Sequence, residues 1–273
     1  MIASSHSRPL ARFGLHWFIL LVLSLTLCSP VHAEPVAVKY LEGISHGFLV
    51  LRSLDGGILA SGDQFQVVEG NQVTTETVFH FKDGSLHDET VVFVQGHTFR
   101  LLSDHLIQKG PSFPHPIDIL IDGTKNEVTI HAAEKNQEKN VTQQMDVPAD
   151  LVNGMVPILL KNISLDAETK LPMLAPTAKP RIIHLAIKTI DDNATYSVAG
   201  SKRKAIHFNI HVEIGGVAGV VAPLVGKLPP DTHIWISAGH SPTFLRSQGP
   251  LFEGGPIWRI DLAPIQMRQL QAK

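Results

Sequence analysis

One segment near the end of the chain alternates strictly between apolar and polar side chains. Over Ile206–Ile214 every second residue is apolar, and histidine, asparagine and glutamate occupy the positions between them. An alternation with period two places all the apolar side chains on one face of a β-strand. The segment therefore predicts a strand that is half buried on a hydrophobic core. We expect Phe208 and Ile210 to face that core, and His207 and His211 to face solvent.

Short turns separate similar runs along most of the chain. Lys82–Ser85 contains an Asp-Gly pair and lies between the strand-like runs Val73–Phe81 and Thr90–Gln95. Asp122–Asn126 lies between two further apolar runs and has the same turn-forming character. Such turns favour tight antiparallel hairpins. About a dozen strands joined in this way predict a mainly β fold.

Only one part of the chain predicts a helix. Asp146 is a candidate N-cap, and apolar residues then recur at helical spacing. These apolar residues are Leu151, Met155, Leu159 and Ile163. Because Gly154 and Pro157 weaken a helix from within, we expect a broken helix over residues 147–163.

These elements predict one β-rich domain over residues 34–273. It contains a strand group at 34–145, the helix, a proline-rich connector at 164–180 and a second strand group at 181–265. A single helix between two groups of antiparallel strands is typical of a curved sheet or open β-barrel. We expect the broken helix to cover the concave face of that sheet.

Residues 1–33 have the features of a secretory signal peptide. Arg8 and Arg12 precede the apolar run Phe13–Leu27, and the small residues Val31 and Ala33 come before Glu34-Pro35. A charged start, a short apolar stretch and small residues at the cleavage site are the usual signal-peptide pattern. The run is too short for a comfortable membrane span. We therefore expect an exported protein, in the periplasm or outside the cell.

The only cysteine, Cys28, lies within this leader. A mature chain without cysteine is neither a disulfide scaffold, nor a zinc-thiolate protein, nor a thiol enzyme. The alternative is a lipid anchor on Cys28, for which the bulky Leu27 before it is a poor match. No basic stripe indicates a nucleic-acid partner.

Two patterns suggest enzyme chemistry. Gly43–Gly47 has the G-x-S-x-G form of serine hydrolases, in which Ser45 would be the nucleophile and a helix should follow. The apolar run after it predicts a strand instead, which favours a glycine-rich turn. The many histidines suggest a metal site, but His207 and His211 would lie about 13 Å apart along one strand. We therefore predict no catalytic residue, no metal site and no cofactor.

Two loops are better candidates for binding. Asp104–Pro116 is bounded by prolines and presents Phe113, and Gly215–Gly226 contains only glycine, proline and apolar residues. A fully apolar stretch of an exported protein is either buried or in contact with something apolar. With the predicted helix and a closing strand, the candidate ligand-binding residues are Phe113, Val217, Val220, Val221, Leu224, Met155, Leu159 and Trp235.

The second half of the chain resembles uncharacterised exported bacterial proteins, including the family called domain of unknown function 3108. The resemblance rests on Pro148–Met155, on Ile234–Ser237 and on Pro242–Arg246. The layout is also similar to the periplasmic lipoprotein carriers LolA and LolB, in which an incomplete barrel encloses an apolar cavity. The resemblance implies a barrel-like exported protein and supplies no catalytic residues.

Taken together, these features predict a non-enzymatic envelope protein that binds a lipid, another apolar ligand or an apolar part of an envelope partner. The first alternative is a secreted hydrolase that uses Ser45 or a histidine-centred metal site. The second is a structural subunit of an envelope assembly. An enzyme requires a nucleophile with a base, or three converging metal ligands, whereas a carrier requires an apolar cavity.

Signal-peptide cleavage is expected after Ala33, because small residues at positions 31 and 33 fit the specificity of the protease that removes such leaders. N-terminal sequencing of the exported protein should therefore read Glu34-Pro35 first. A chain that begins at a lipid-modified Cys28 would contradict this expectation and would place the protein on a membrane surface.

Overall fold

The computed structural model describes residues 35–134, 137–175, 180–198, 201–213 and 229–263. These residues form fourteen strands and one short helix. The strands are β1 Ser45–Arg52, β2 Ile58–Glu69, β3 Gln72–Phe81, β4 Leu86–Gln95, β5 Phe99–Lys109, β6 Ile117–Asp122, β7 Glu127–Glu134, β8 Gln137–Gln144, β9 Thr169–Ala175, β10 Arg181–Val198, β11 Ser201–Glu213, β12 Thr232–Ser237, β13 Phe244–Pro250 and β14 Ile257–Leu262. The helix α1 is Val156–Leu159.

All fourteen strands belong to one antiparallel sheet. From β1 to β8, and again from β9 to β14, each strand pairs with the strand that follows it in the chain. The two series are joined by β1 and β14, which pair from Leu49 opposite Leu262 to Arg52 opposite Arg259. The sheet ends at β8 on one side and at β9 on the other, so it does not close. The prediction of a mainly β, curved and open antiparallel sheet is confirmed.

Curvature of the sheet follows from its hydrophobic core. Phe93 of β4 and Phe208 of β11 belong to the same cluster of buried side chains. Seven strand spacings separate β4 from β11 in the sheet order, which would be roughly 30 Å in a flat sheet. The sheet therefore curls so that its two arms share one core on the concave face.

Two local patterns appear in the structure as predicted, whereas the predicted loop Asp104–Pro116 belongs to strand β5 up to Lys109. Phe208 and Ile210 of β11 are buried, whereas His207 and His211 lie on the other face and are partly exposed. The turn between β3 and β4 contains Gly84 with a φ of 86°, a conformation that glycine adopts at little cost.

The chain that links β8 to β9 fills the concave face. Leu151, Met155 and Leu159 are almost fully buried there, in the core that both arms share. Only Val156–Leu159 is helical, a much shorter helix than the 147–163 predicted. Gly154 has a φ of 62°, and this left-handed conformation ends any helical path before α1 begins. No helix in the described ranges is long and apolar enough to cross a membrane.

Hydrogen bonds fix this linking chain to β9. The side chain of Asn153 donates to the Leu174 carbonyl at 2.9 Å and accepts from the Leu174 amide at 2.8 Å. The amide of Val152 donates to the carbonyl of Pro172 at 3.0 Å. β9 lies inside the 164–180 segment that was predicted to be a connector. The sequence of β9 does not alternate between apolar and polar residues, because the adjacent residues Leu171 and Pro172 are both buried.

Substitution of Gly154 tests how tightly the linking chain packs. A Cβ atom at this position would lie 2.2 Å from Cγ2 of Val91, and the positive φ adds backbone strain. Gly154→Ala should therefore lower the free energy of unfolding by about 2–5 kcal/mol, the sum of strain and overpacking. Gly84→Ala is the matched control, because it has a similar φ and open space around it. Equal losses in chemical denaturation would show that Gly154 is needed for its φ alone.

Candidate functional site

The side chain of Glu42 organises one mouth of the curved sheet. Its carboxylate accepts from Lys161 Nζ at 2.7 Å, and both side chains are mostly buried. Gln66 of β2 donates to the same carboxylate at 3.0 Å, and Gln95 of β4 bonds both the amide and the carbonyl of Glu42. A buried ion pair is expensive unless its remaining polar atoms are satisfied. Gln66 bonds the carboxylate and Gln95 bonds the backbone, so the chain around Glu42 is held between β2, β4 and the residues that follow α1.

Asn162 holds the same region from the other side. Its side-chain oxygen accepts from the amides of Lys39 and Tyr40, each at 2.8 Å, and its side-chain nitrogen donates to Ile158 in α1. Residues 39–47, which we call the entry segment, are thus attached to the end of α1 although more than a hundred residues separate them in sequence.

Two clefts lie beside the entry segment. The first has a volume of about 540 Å³ and extends to Pro157 and Ile158 of α1 and to Phe244 of β13. The second has a volume of about 420 Å³ and lies against Ile163–Asp166. The residues that line both clefts are Lys39, Tyr40, Lys161 and Pro242. The two clefts therefore adjoin over the Glu42–Lys161 ion pair.

Four exposed apolar side chains line these clefts. Leu41 is 73% exposed and Ile44 is 79% exposed in the first cleft. Leu165 is 38% exposed in the second, and Tyr40 is 36% exposed between the two. Leaving a leucine or isoleucine in water forgoes about 1.5–3 kcal/mol that burial would provide. Exposed apolar surface grouped in a concave site is typical of ligand binding.

The predicted binding residues lie elsewhere. Phe113 is buried and packs on Phe81, Phe252 and Trp258, with ring centroids 5.3, 5.5 and 6.4 Å away. It is part of an aromatic cluster beneath β1 and β3 rather than a displayed side chain.

Met155 and Leu159 are buried together in the main core. Trp235 lies on the opposite face of the sheet, stacked on His207 at a centroid distance of 4.1 Å. None of these side chains, nor Phe113, lines either cleft. The remaining predicted residues lie outside the described part of the chain: Val217, Val220, Val221 and Leu224. A role in ligand binding stays a prediction for all of them.

The residues proposed for enzyme chemistry do not form a catalytic arrangement in the described ranges. Ser45 begins β1 and lines the first cleft, and no hydrogen bond between described residues joins it to a histidine. The neighbouring His46 contacts Asp63 at 3.0 Å on the convex face. Over the same ranges, no three histidine, cysteine or acidic side chains converge as metal ligands would.

A pair of acidic residues faces the core instead. Glu89 and Asp104 lie on the inward faces of β4 and β5, where Asp104 is opposite Val91 and Glu89 is two residues away from Val91. Burial raises the pKa of Glu89 to about 7. Burial, together with the charge of Glu89, raises the pKa of Asp104 well above its ordinary value. Within the described residues, Oδ1 of Asp104 has no hydrogen-bond partner, so this pair destabilises the fold when it is ionised.

His87 lies on the same inward face of β4. Burial lowers the pKa of His87 to about 4, so it is neutral at physiological pH. Gln108 contacts its Nδ1 at 3.0 Å and also donates to the carbonyl of Leu251. This histidine is a satisfied core residue rather than an exposed ligand.

Comparisons with known proteins identify no family. No family model matches the chain, and no curated protein matches it. A solved structure similar to this chain is the beta-barrel-like protein of domain of unknown function DUF1849 from Brucella abortus. The two are 8% identical, with a TM-score of 0.44 over 84% of this chain and 100% of that chain. No match supports membership in domain of unknown function 3108, which stays a resemblance.

Sequence reasoning considered Gly43–Gly47 of the entry segment only as a hydrolase-like motif or a turn, and it did not predict a binding role for the segment. Leu41 and Ile44 flank Glu42 in a stretch without regular periodicity, so no helix or strand pattern marks them. Their importance comes from Lys161, Gln66 and Gln95, which are distant in sequence.

Removal of the Glu89 carboxyl tests the cost of the buried acids. In the folded state the Glu89 carboxyl has a pKa of about 7, whereas in the unfolded state it has its ordinary pKa of 4.5. The free energy of unfolding therefore falls as the pH rises from about 4.5 to about 7. Glu89→Gln should therefore gain stability relative to the parent, and this gain should be larger at pH 8 than at pH 4, by up to about 3 kcal/mol. Chemical denaturation at both pH values measures the difference.

The free energy of unfolding of the variant has to be compared with that of the parent at each pH, because the titration of His87 changes the stability of both proteins in the opposite direction. Its lowered pKa makes the parent more stable as the pH rises from about 4 to 6.5. This contribution cancels in the difference. Glu76→Gln, on the exposed face of β3, controls for the loss of one carboxylate. A gain for Glu89→Gln that is the same at both pH values would contradict the assignment.

Proposed function

We propose that this protein is a non-enzymatic binding protein of the cell envelope that holds an apolar ligand in the two clefts beside the entry segment. The observation that carries the proposal is the grouping of Leu41, Ile44 and Leu165, all exposed, in the walls of adjoining concave sites. Export is supported by the signal-peptide features of residues 1–33.

The chemistry of the clefts favours an elongated amphipathic ligand such as a lipid. Ile44 and Ile158 offer apolar contacts to a hydrocarbon chain within a lining that is more polar than apolar, and Lys39 and the Glu42–Lys161 pair provide polar contacts where the clefts adjoin. The larger volume, about 540 Å³, lies within the usual range of small-molecule sites. An apolar side chain of an envelope partner could make the same apolar contacts in the clefts.

Binding is favoured over hydrolysis because exposed apolar side chains line the cleft, whereas Ser45 has no hydrogen-bonded histidine among the described residues. The interior of the sheet offers less to a ligand. Leu151, Met155 and Leu159 already occupy it and are buried. A ligand that entered the core would have to displace the linking chain, which its hydrogen bonds to β9 oppose.

A fluorescent fatty acid with a dansyl group tests the proposal. The parent protein should bind this probe with saturation and with a blue-shifted emission, because the probe leaves water for an apolar site. Leu41→Ser and Ile44→Ser should each weaken binding by about tenfold, the loss of one buried apolar side chain. Melting temperatures should change little, since both residues are exposed.

Leu54→Ser is the matched control. Leu54 is 55% exposed, but it lies in the turn between β1 and β2 and lines neither cleft. Its replacement should leave probe affinity unchanged. Absence of saturable binding by the parent, or an equal loss for Leu41→Ser and Leu54→Ser, would overturn the proposed site.

A further inference from the structure

The convex face of the sheet carries two parallel rows of polar side chains where its two arms join. In the first row, Arg52 of β1 lies opposite Arg259 of β14, and Arg259 lies opposite Gln248 of β13. In the second row, Asp261 of β14 lies opposite Arg246 of β13, and Arg246 lies opposite Trp235 of β12. These side chains alternate along the strands with buried residues such as Leu51, so they face away from the core.

Asp261 is the centre of this arrangement. Its carboxylate accepts from Nε of Arg246 at 2.6 Å and from Nε of Arg259 at 3.0 Å, and Nε of Arg52 lies 3.8 Å away. The hydroxyl of Tyr196 donates to it at 3.3 Å. The Asp261 side chain is only 16% exposed, and each arginine is about one-third exposed or less. Three guanidinium groups are thus held around one mostly buried carboxylate.

Aromatic rings hold Arg246 in place. Its guanidinium carbon lies 5.0 Å from the centre of the Tyr196 ring and 5.9 Å from that of the Trp235 ring. The other contacts of Trp235 include His207, which stacks on it. Such cation–π contacts restrict the orientation of the guanidinium without using its N–H donors. The arginine is therefore preorganised before any ligand arrives.

Most of the outer donors of these arginines are unused. Arg246 and Arg259 each give Asp261 their Nε–H, and no hydrogen bond within the described ranges uses their Nη groups. Arg52 gives one Nη to the carbonyl of Gly56. Three positive charges share one negative charge, although the whole chain carries a net charge of −2. The face has an excess of positive charge and of fixed donors.

We propose that Arg52, Arg246 and Arg259 form a binding site for a phosphate group. A phosphate presents several oxygens to several donors at once, and guanidinium groups bind it through paired N–H bonds. Two negative charges on the phosphate match the two uncompensated positive charges of the site. The site lies on the opposite face of the sheet from the core and is independent of the apolar clefts.

Inorganic phosphate is the first probe, measured by NMR at constant ionic strength. The Nε–Hε signals of the three arginines should shift with saturation, with a Kd of about 1 mM. Arg259→Gln should weaken binding by about tenfold, the loss of one charged hydrogen-bond donor. Arg259→Lys should restore only part of the affinity, because a lysine keeps the charge and loses the planar pair of donors.

Arg100→Gln is the control for charge alone, since Arg100 is an exposed arginine on β5 in the other arm of the sheet. It should bind phosphate as the parent does. Arg52→Gln provides a second test of the site should Arg259→Gln fold poorly. An equal loss of phosphate affinity with Arg100→Gln would overturn the site, as would the absence of a saturable shift at about 10 mM phosphate combined with no Arg259-dependent binding to the vesicles described next.

A second experiment identifies the kind of molecule that carries the phosphate group. Co-sedimentation with vesicles of phosphatidic acid and phosphatidylcholine is compared for the parent and for Arg259→Gln. Vesicle binding that depends on Arg259 identifies a phospholipid head group. Binding of inorganic phosphate without vesicle binding identifies a soluble phosphate. Either result supports the site, and failure of both probes contradicts it.

Discussion

The pairing of β1 with β14 is the constraint on which the rest of the structure depends. Every other pair in the sheet joins strands that are neighbours in the chain, so each could form as a local hairpin. Only this pair, Leu49–Arg52 against Arg259–Leu262, brings the two ends of the described chain together. Without it the molecule would consist of two separate series of strands, each with an additional exposed edge.

That pairing creates both surfaces discussed above. On the inner face it places Leu49 and Leu51 beside Ile260 and Leu262, and Leu262 reaches the wall of the first cleft. On the outer face the same register places Arg52 opposite Arg259. Because side chains alternate across a sheet, one register determines what both faces contain. A shift by a single residue would exchange the apolar and basic surfaces.

The linking chain between β8 and β9 explains why the clefts lie at the mouth of the sheet. Its apolar residues fill the concave core, so the unfilled space remains beside α1 and the entry segment. The core also contains the costly pair Glu89 and Asp104, of which Glu89 packs close to Gly154. A buried acid such as Asp104, whose Oδ1 has no hydrogen-bond partner among the described residues, is tolerated only where the rest of the core is well packed, and this core has the necessary apolar content.

Sequence alone determined the elements whose physics is local: the alternation of β11 and the Asp-Gly turn after β3 each follow from a few adjacent residues. It also predicted the open antiparallel class and a broken helix before β9. The extent of that helix depended on a left-handed Gly154, and the burial of Met155 and Phe113 depended on partners from distant strands. The contacts that form the entry segment and the arginine cluster are visible only in the tertiary structure. Glu42 pairs with Lys161, and Arg52 lies opposite Arg259, although more than a hundred residues separate the members of each pair. Such contacts leave no periodic pattern in the sequence.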